Sequence, residues 1–187
     1  MFRIFTLMLV GSLASLSACT TLKREVCSSG DWRKIGVQDG NDGRPAERYG
    51  RHVKVCGREG TVSGQEQYLA GRESGLATYC TTLRGYREGA LGQGYYDVCP
   101  PLSASLFQTG FQLGNRIRQM ESRISDVNEA YFAVSRQLEK KSLAEAERAR
   151  LIQEQASLQA REALLNEDLK VLKAEADALV AVSRKKI

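Results

Sequence analysis

The sequence has few of the residues that build catalytic sites, and one long stretch lacks every residue that interrupts helices. It contains a single histidine, His52, and a single tryptophan, Trp32, among 187 residues. From Asn115 to Ile187 there is no glycine, proline or cysteine. One histidine leaves few options for metal or acid–base catalysis, and the uninterrupted stretch predicts a long helical region.

The net charge of +5 is modest for a chain of this length. Hydrophobic residues make up 42% and charged residues 26%, which is typical of a folded protein and excludes wholesale disorder. We therefore expect no nucleic-acid partner and at most a mild attraction to anionic surfaces.

Residues 1–18 predict a signal peptide that is cleaved. A short positive start precedes an apolar segment from Ile4 to Leu16, which is too short to span a bilayer as a helix of about 20 residues. The segment ends in Leu16-Ser17-Ala18-Cys19, which resembles the bacterial lipobox. The resemblance implies a diacylglycerol thioether on Cys19 and a further acyl chain, such as palmitate, on its new amino group.

Two or more acyl chains anchor a protein stably, whereas one chain binds only marginally. Thr20 follows the lipidation site, and it is not the aspartate that resembles an inner-membrane retention signal. We expect a protein anchored in the outer membrane through residues 19–26 and facing the periplasm.

Four further cysteines, Cys27, Cys56, Cys80 and Cys99, form an even set in an oxidising compartment. They contain no C-x₂₋₄-C pair, so we predict no metal site. A catalytic Cys–His pair would use His52 and leave an odd thiol. We predict two disulfides and no cofactor.

Residues 27–114 form a module that is rich in glycine and tyrosine but short of leucine, isoleucine and valine. Glycines three or four residues apart give a helix a stripe without side chains, which allows close packing. The alternative, a phosphate-binding loop, is disfavoured because no strand precedes these glycines and no Lys-Ser/Thr follows them. The recurring patterns are Tyr68-x₂-Gly71-x₃-Gly75, Tyr86-x₂-Gly89-x₂-Gly92 and Phe107-x₂-Gly110-x₃-Gly114, with Gly36, Gly40 and Gly43 as an earlier variant.

These motifs together resemble a bacterial lipoprotein family known as domain of unknown function 2799. The resemblance covers about half of the chain and implies a small, exported, cysteine-stapled domain without an assigned activity. The residues that carry it are Cys27, Asp31-Trp32, Gly36-x₂-Asp39-Gly40-x₂-Gly43, Cys56, Tyr68-x₂-Gly71-Arg72-x₂-Gly75-Leu76-x₂-Tyr79-Cys80, Gly85-Tyr86-x₂-Gly89-x₂-Gly92-x₂-Tyr95 and Val98-Cys99-Pro100.

Within the module we predict helices near residues 31–38, 46–55 and 65–79, with turns at 39–40 and 42–45. Residues 86–96 fit either a helix or a bent extended pair. Four cysteines permit three pairings. A hairpin of the first two helices favours Cys27–Cys56, and the turn at 81–85 favours Cys80–Cys99.

The polar residues of the module form a weak catalytic set. Asp31 is expected to cap a helix, and Asp39 and Asp42 to stabilise glycine turns. His52 is expected on a helix surface or packed, and Arg72 and Glu73 on a solvated face.

Residues 115–187 form a coiled-coil region. A four-three spacing of apolar residues predicts a buried seam, which becomes weaker in the second half at Gln155, Glu162, Leu169 and Ala176. The register slips near Lys141, where Ser142-x₂-Glu145 predicts a capping box, so we expect a helical hairpin or kink in preference to one continuous helix. The seam residues are Leu113, Ile117, Met120, Ile124, Val127, Tyr131, Val134 and Leu138, then Leu151, Leu158, Leu165, Leu172 and Leu179.

The sequence thus favours a mainly α, lipid-anchored envelope lipoprotein without enzymatic activity. Its coiled coil would bind a protein partner or a second copy, and the basic Arg184-Lys185-Lys186 end adds peptidoglycan contact as a further partner hypothesis. The alternative is a periplasmic enzyme or ligand-binding domain with a site in the module, among Asp39, His52, Arg72 and the glycine–tyrosine stripes.

Overall fold

The computed structural model describes residues 30–56 and 62–184, and these form six helices without a β-strand. The mainly α class, with a module of short helices followed by a long helical hairpin, is confirmed. The predicted signal peptide, the predicted linker and Cys27 lie outside the described residues. The helices are α1 (Trp32–Asn41), α2 (Arg48–Cys56), α3 (Val62–Tyr79), α4 (Thr82–Ala90), α5 (Pro101–Leu138) and α6 (Glu145–Arg184).

Two local predictions in the module need correction. The turn expected at Asp39-Gly40 is wrong, because α1 continues through both residues to Asn41. Packing of α1 against a neighbouring helix offsets the low helix propensity of glycine there. The segment left open at 86–96 divides into the end of α4 and an irregular connector.

Helices α1 and α3 pack backbone against backbone. A Cβ atom at Gly36 or Gly71 would overlap a carbonyl oxygen of the opposite helix, and the same holds one turn further along for Gly40 and Gly75. The glycine stripes therefore serve close helix packing, as predicted. They are filled by neighbouring backbone, which excludes a phosphate cradle on these stripes.

Helices α4 and α5 repeat this arrangement. Gly85 and Gly89 on α4 meet Gly110 and Gly114 on α5, and each added Cβ would again overlap a carbonyl oxygen across the pair. Residue for residue, α4 corresponds to α1 and the start of α5 corresponds to α3. Phe107, and not Tyr86 as the sequence rhythm suggested, is thus the counterpart of Tyr68.

The first helix of each pair also ends in the same way. Gly43 and Gly92 follow α1 and α4 with φ angles of 62° and 69°. In both places the next residue donates its N–H to the carbonyl four residues before the glycine, at 2.8 and 2.9 Å. This is the Schellman motif, which glycine accommodates without strain. The module is an internal duplication of one helix pair, with α2 and residues 91–100 as the two connectors.

A cluster of aromatic rings and a disulfide fill the core of the second pair. Phe107 is fully buried and lies 4.9 Å from the Tyr79 ring and 4.7 Å from the Tyr95 ring. Cys80 and Cys99 form a disulfide beside these rings, with their Cα atoms 5.5 Å apart. This pairing confirms one of the two that the sequence favoured.

Helices α5 and α6 form an antiparallel hairpin with the predicted seam. Every predicted seam residue on the two helices is buried or partly buried, including the four weaker positions of α6. Side-chain bonds cross the hairpin in antiparallel register, as between Gln155 and Ser135 at 2.9 Å and between Lys173 and Glu121 at 2.9 Å. The hairpin alternative is therefore confirmed over one continuous helix.

The hydrogen bonds that hold the turn of the hairpin are not the predicted ones. Helix α6 begins at Glu145, so Ser142 is not its N-cap and the predicted capping box is wrong. The Arg148 guanidinium instead reaches back across the turn and donates to the carbonyl oxygens of Leu138 and Lys140, both at 3.1 Å. These carbonyls lack helical partners at the end of α5, so one side chain satisfies both.

The hairpin brings the C-terminal helix back to the module. Leu172 and Ala176 of α6 pack with Leu113 and Ile117 of α5, and Tyr86 of α4 joins this cluster. At 1.5 Å per residue, the 38 residues of α5 span about 57 Å, and residues 115–138 account for about 36 Å beyond the α4 contact. Residues 115–184 form an arm, and the turn at 139–144 is its distal tip. Helix α5 passes through the boundary at residues 114–115 without a break.

None of the helices in the described ranges has the length and the apolar composition that a membrane span needs.

Replacement of Gly71 by alanine is expected to lower the free energy of unfolding by about 2–4 kcal/mol. The new Cβ would meet the Arg33 carbonyl of α1, and backbone cannot move aside as a flexible side chain can. Guanidinium unfolding followed by Trp32 fluorescence measures the effect. Gly50→Ala is the matched control: Gly50 has open space around it in α2, so alanine should add about 0.5–1 kcal/mol. Equal effects of the two substitutions would contradict the packing argument.

Candidate functional site

The most concentrated polar cluster surrounds Asp39, whose side chain is only 7% exposed. The Tyr68 hydroxyl donates to its Oδ2 at 2.8 Å, and His52 Nε2 lies 2.7 Å from the same oxygen. Arg48 Nε lies 3.1 Å from Oδ1, at ion-pair distance but without hydrogen-bond alignment. The carboxylate thus joins three helices, with Asp39 on α1, Arg48 and His52 on α2, and Tyr68 on α3.

Helix α2 packs on the module through this cluster and one ring, in addition to the disulfide of its last residue, Cys56. It has no buried residue of its own. Arg48 and His52 are four residues apart and so share one face of the helix. Between them, Tyr49 packs 5.0 Å from the Trp32 ring and 5.3 Å from the Tyr68 ring. The carboxylate that the sequence placed in a turn is the attachment point of α2.

The cluster has the carboxylate and the imidazole of a hydrolase, but not its nucleophile. A carboxylate only accepts hydrogen bonds, so His52 Nε2 carries the proton that it shares with Asp39. In a catalytic set the other ring nitrogen would face a hydroxyl or a thiol. Among the described residues no such bond to His52 is formed. Tyr68 donates to the same Asp39 oxygen, so the side chains of the cluster bind one another.

Burial, and next the hydrogen bond to the Asp39 carboxylate, raise the pKa of Tyr68 above its ordinary range. The phenol therefore remains protonated and acts as a fixed donor. Removal of the carboxylate would leave a buried hydroxyl and a partly buried guanidinium without their acceptor, which is costly in a low-dielectric interior.

A second polar feature is an open cleft of about 300 Å³ at the junction of the two helix pairs. The Arg84 guanidinium lies 5.4 Å from the centre of the Tyr79 ring, and its Nε lies 2.7 Å from Glu88. Burial, and then the nearby Glu88 carboxylate, raise the pKa of Tyr79 to about 12. This cleft could not be predicted from the sequence, because its walls come from three separate segments. Its lining residues are Asp42, Arg44, Tyr79, Arg84, Glu88, Leu91, Gln93, Gly94 and Tyr96.

The other polar candidates have structural surroundings. Asp31 caps α1 by accepting from the Lys34 N–H at 3.0 Å, as predicted. Arg72 was expected on a solvated face, but its Nε donates to the Arg44 carbonyl at 2.7 Å. Glu73 is exposed. The predicted combination of Asp39, His52 and Arg72 thus divides: the first two meet, and Arg72 bonds to the turn after α1.

The remaining predicted site residues are cysteines. Cys19 and Cys27 lie outside the described residues. Cys56 is disulfide-bonded, and its predicted partner is Cys27. In the part of the chain that the structure describes, no group of histidine, cysteine and acidic side chains could hold a metal ion.

The arm carries apolar side chains that its own seam leaves uncovered. Leu164 and Val171 are each 70% exposed on α6, seven residues apart and on one face. Phe132 on α5 is 59% exposed. These positions face solvent beside the seam, where polar residues are more usual.

Comparison with known proteins adds one match. The model of a family described as "Protein of unknown function (DUF2799)" matches residues 31–116, which confirms the resemblance carried by the glycine and cysteine motifs. The match runs from the cap of α1 into α5, so it covers both helix pairs and ends as the arm begins. No curated protein and no solved structure matches the chain.

Asp39→Asn is expected to lower the free energy of unfolding by about 3 kcal/mol, since it removes one partner of a buried charged cluster. Asp42→Asn is the matched control, because Asp42 is exposed just after α1 and should change stability by less than about 0.5 kcal/mol. Guanidinium unfolding of both variants provides the comparison. A stable Asp39→Asn protein would mean that the cluster does not hold α2.

Alkaline pH should destabilise the protein partly through Tyr79. Its folded pKa of about 12 lies above the ordinary value of 10.0, so the folded state holds the proton more tightly. This contribution is complete below pH 10 and is lost as the pH rises towards 12. Stability measured across that range should fall less steeply for Tyr79→Phe than for the native protein, and the two curves should run parallel below pH 10. Identical slopes above pH 10 would contradict the assignment.

Proposed function

We propose a function from the premise that residues 31–116 belong to the DUF2799 family: the chain is a lipid-anchored envelope lipoprotein that acts through protein interaction and not through catalysis. Cys19 would carry the lipid in the outer membrane, and the module would hold the base of the arm on the periplasmic side. The arm would bind a protein partner or a second copy.

The observation that carries this proposal is the uncovered apolar face of the arm. The seam between α5 and α6 is complete, yet Leu164 and Val171 remain largely exposed beside it. Apolar side chains at a seven-residue spacing present one side of a helix to another helix. Both residues lie on the part of α6 that runs beside residues 115–138 of α5, which extend about 36 Å beyond the α4 contact.

The closed cluster at Asp39 supports a non-catalytic role. Its carboxylate, imidazole and phenol bind one another, and the arrangement explains how α2 is attached. Such a group needs no substrate to account for its presence, because buried charges require partners in any fold.

The cleft beside Tyr79 is the observation that favours the second candidate, a periplasmic ligand-binding domain. It contains two arginines and two carboxylates with exposed Leu91 and Tyr96 at its rim. A ligand with both charges and an apolar part would suit it. In an NMR titration with such a ligand, saturable chemical-shift changes confined to the residues of the cleft would support this function, and Arg84→Gln should abolish these changes.

Peptidoglycan contact through Arg184, Lys185 and Lys186 is retained as a partner hypothesis. Because α6 returns to the module, such contact would occur at the base of the arm and not at its tip. Deletion of residues 184–187 without a change in sacculus association would exclude it.

Site-specific photocrosslinking in intact cells tests the interaction surface. A crosslinking amino acid at Leu164 or Val171 should trap a defined adduct, whereas the same group at exposed Lys170, about 100° around α6 from Val171, should not. An adduct of twice the chain mass indicates self-association, and a larger or smaller one indicates another protein. Equal yields at all three positions would contradict a specific face.

The anchor is tested separately by mass spectrometry of the N-terminal peptide. The mature chain should begin at Cys19 and carry three acyl chains, and metabolic labelling with a palmitate analogue should be lost in Cys19→Ala. An unmodified N-terminus at another residue would refute the lipoprotein assignment.

A further inference from the structure

The outward side of α2 and the first turn of α1 carry unpaired positive charge. Arg33, Lys34, Arg51 and Lys54 are exposed, and Val55 is 60% exposed beside them. Helix α2 itself contains no acidic residue. We refer to these five residues as the basic face. None of its four cations forms an ion pair within the described residues.

Both parts of the basic face belong to one region of the module. The Trp32 ring at the start of α1 lies 5.0 Å from the Tyr49 ring of α2, so the two helices meet there. Arg48 and His52 point inward to Asp39 and fix the orientation of α2. Arg51 and Lys54 are three residues apart on α2 and both are exposed. Lys54 faces away from the Asp39 cluster, whereas Arg51 and Val55 lie at the border of the inward side.

The length of chain between Cys19 and α1 limits how far the basic face can lie from the proposed lipid anchor. Eleven residues separate Gly30 from Cys19, and a fully extended chain of that length spans at most about 40 Å. A disulfide between Cys27 and Cys56 would shorten the tether to eight residues, or about 28 Å. The linker adds Lys23 and Arg24 close to the lipid. The arm tip, in contrast, is about 36 Å along α5 from the end of the α4 contact.

We propose that the basic face lies on an anionic phospholipid surface and orients the lipid-anchored module, with α2 as the membrane-facing helix. This rests on the proposed lipid anchor. Each Lys or Arg held near an anionic leaflet favours the bound state roughly fivefold. Four cations and an exposed valine next to a short tether would hold one side of the module against the membrane, which a lipid anchor alone would leave free to rotate.

Lysine footprinting on the full-length lipidated protein in vesicles tests this orientation. The protein is reconstituted in phosphatidylethanolamine vesicles with and without phosphatidylglycerol and treated with an amine-reactive reagent. Lys34 and Lys54 should react several-fold more slowly when phosphatidylglycerol is present, and high salt should restore their reactivity. Lys140 and Lys141 at the arm tip should react equally in both vesicles.

A charge variant makes the test specific. Arg33→Gln with Arg51→Gln leaves both reporter lysines in place and should reduce the docked-to-undocked ratio by roughly 30-fold, so the phosphatidylglycerol-dependent protection disappears. The matched control is Arg123→Gln with Arg161→Gln, two exposed arginines of the arm, which should retain full protection.

The outcomes separate the inference from the proposed function. If the N-terminal peptide carries no lipid, the anchor itself is refuted. If the lipid is present but Lys34 and Lys54 react equally in both vesicles, the anchor stands and the docking of the basic face is wrong. Protection of Lys140 and Lys141 in place of Lys34 and Lys54 would reverse the proposed orientation and would also overturn it.

Discussion

The direct approach of helix backbones at reciprocal glycines is the constraint on which the module depends. Where Gly36 and Gly40 meet Gly71 and Gly75, no side chain fits between the helices, so the stabilising contacts are backbone van der Waals contacts and Cα–H···O interactions. Larger side chains are displaced to the ends of the stripes, where rings close the core. This explains how a module with so few leucines, isoleucines and valines folds, and why tyrosines and a disulfide accompany the glycines.

The duplication shows which parts of the module are common and which are particular to one half. Each connector contributes a tyrosine that packs on the central ring of its pair: Tyr49 lies 5.3 Å from Tyr68, and Tyr95 lies 4.7 Å from Phe107. Tyr68 has a hydroxyl that Phe107 lacks, and only the first half supplies a buried carboxylate to accept its hydrogen bond. The Cys80–Cys99 disulfide joins the start of the second pair to its connector. By the same relation, Cys56 in the first connector supports the predicted pairing with Cys27.

The arm was predictable because its signal is periodic and local, whereas the Asp39 cluster was not. A four-three apolar spacing identifies every buried seam position without knowledge of the partner helix. Asp39 is followed by glycine, which normally indicates a turn, and its partners lie 13 and 29 residues away. The signal for this cluster in the sequence was the four-residue spacing of Arg48 and His52, which places both residues on one face of a helix. The hairpin turn is also held by a contact between residues that are distant in sequence. The capping box predicted at Ser142 is wrong, and the turn is held by Arg148, which donates to the Leu138 carbonyl ten residues away.

The arm and the module share one helix, and this sets how a load on the arm would be transmitted. On α5, Gly110 and Gly114 pack against α4, while Leu113 and Ile117 pack against α6 only a few residues away. The two sets alternate along one unbroken helix, and no proline or loop lies between them, so there is no hinge at which the arm could bend independently. Tyr86 belongs to α4 and packs in the same cluster as Leu172 and Ala176 of α6. A load on the arm would therefore be transmitted through α5 to the α4–α5 glycine contact, where backbone meets backbone and no flexible side chain can adjust.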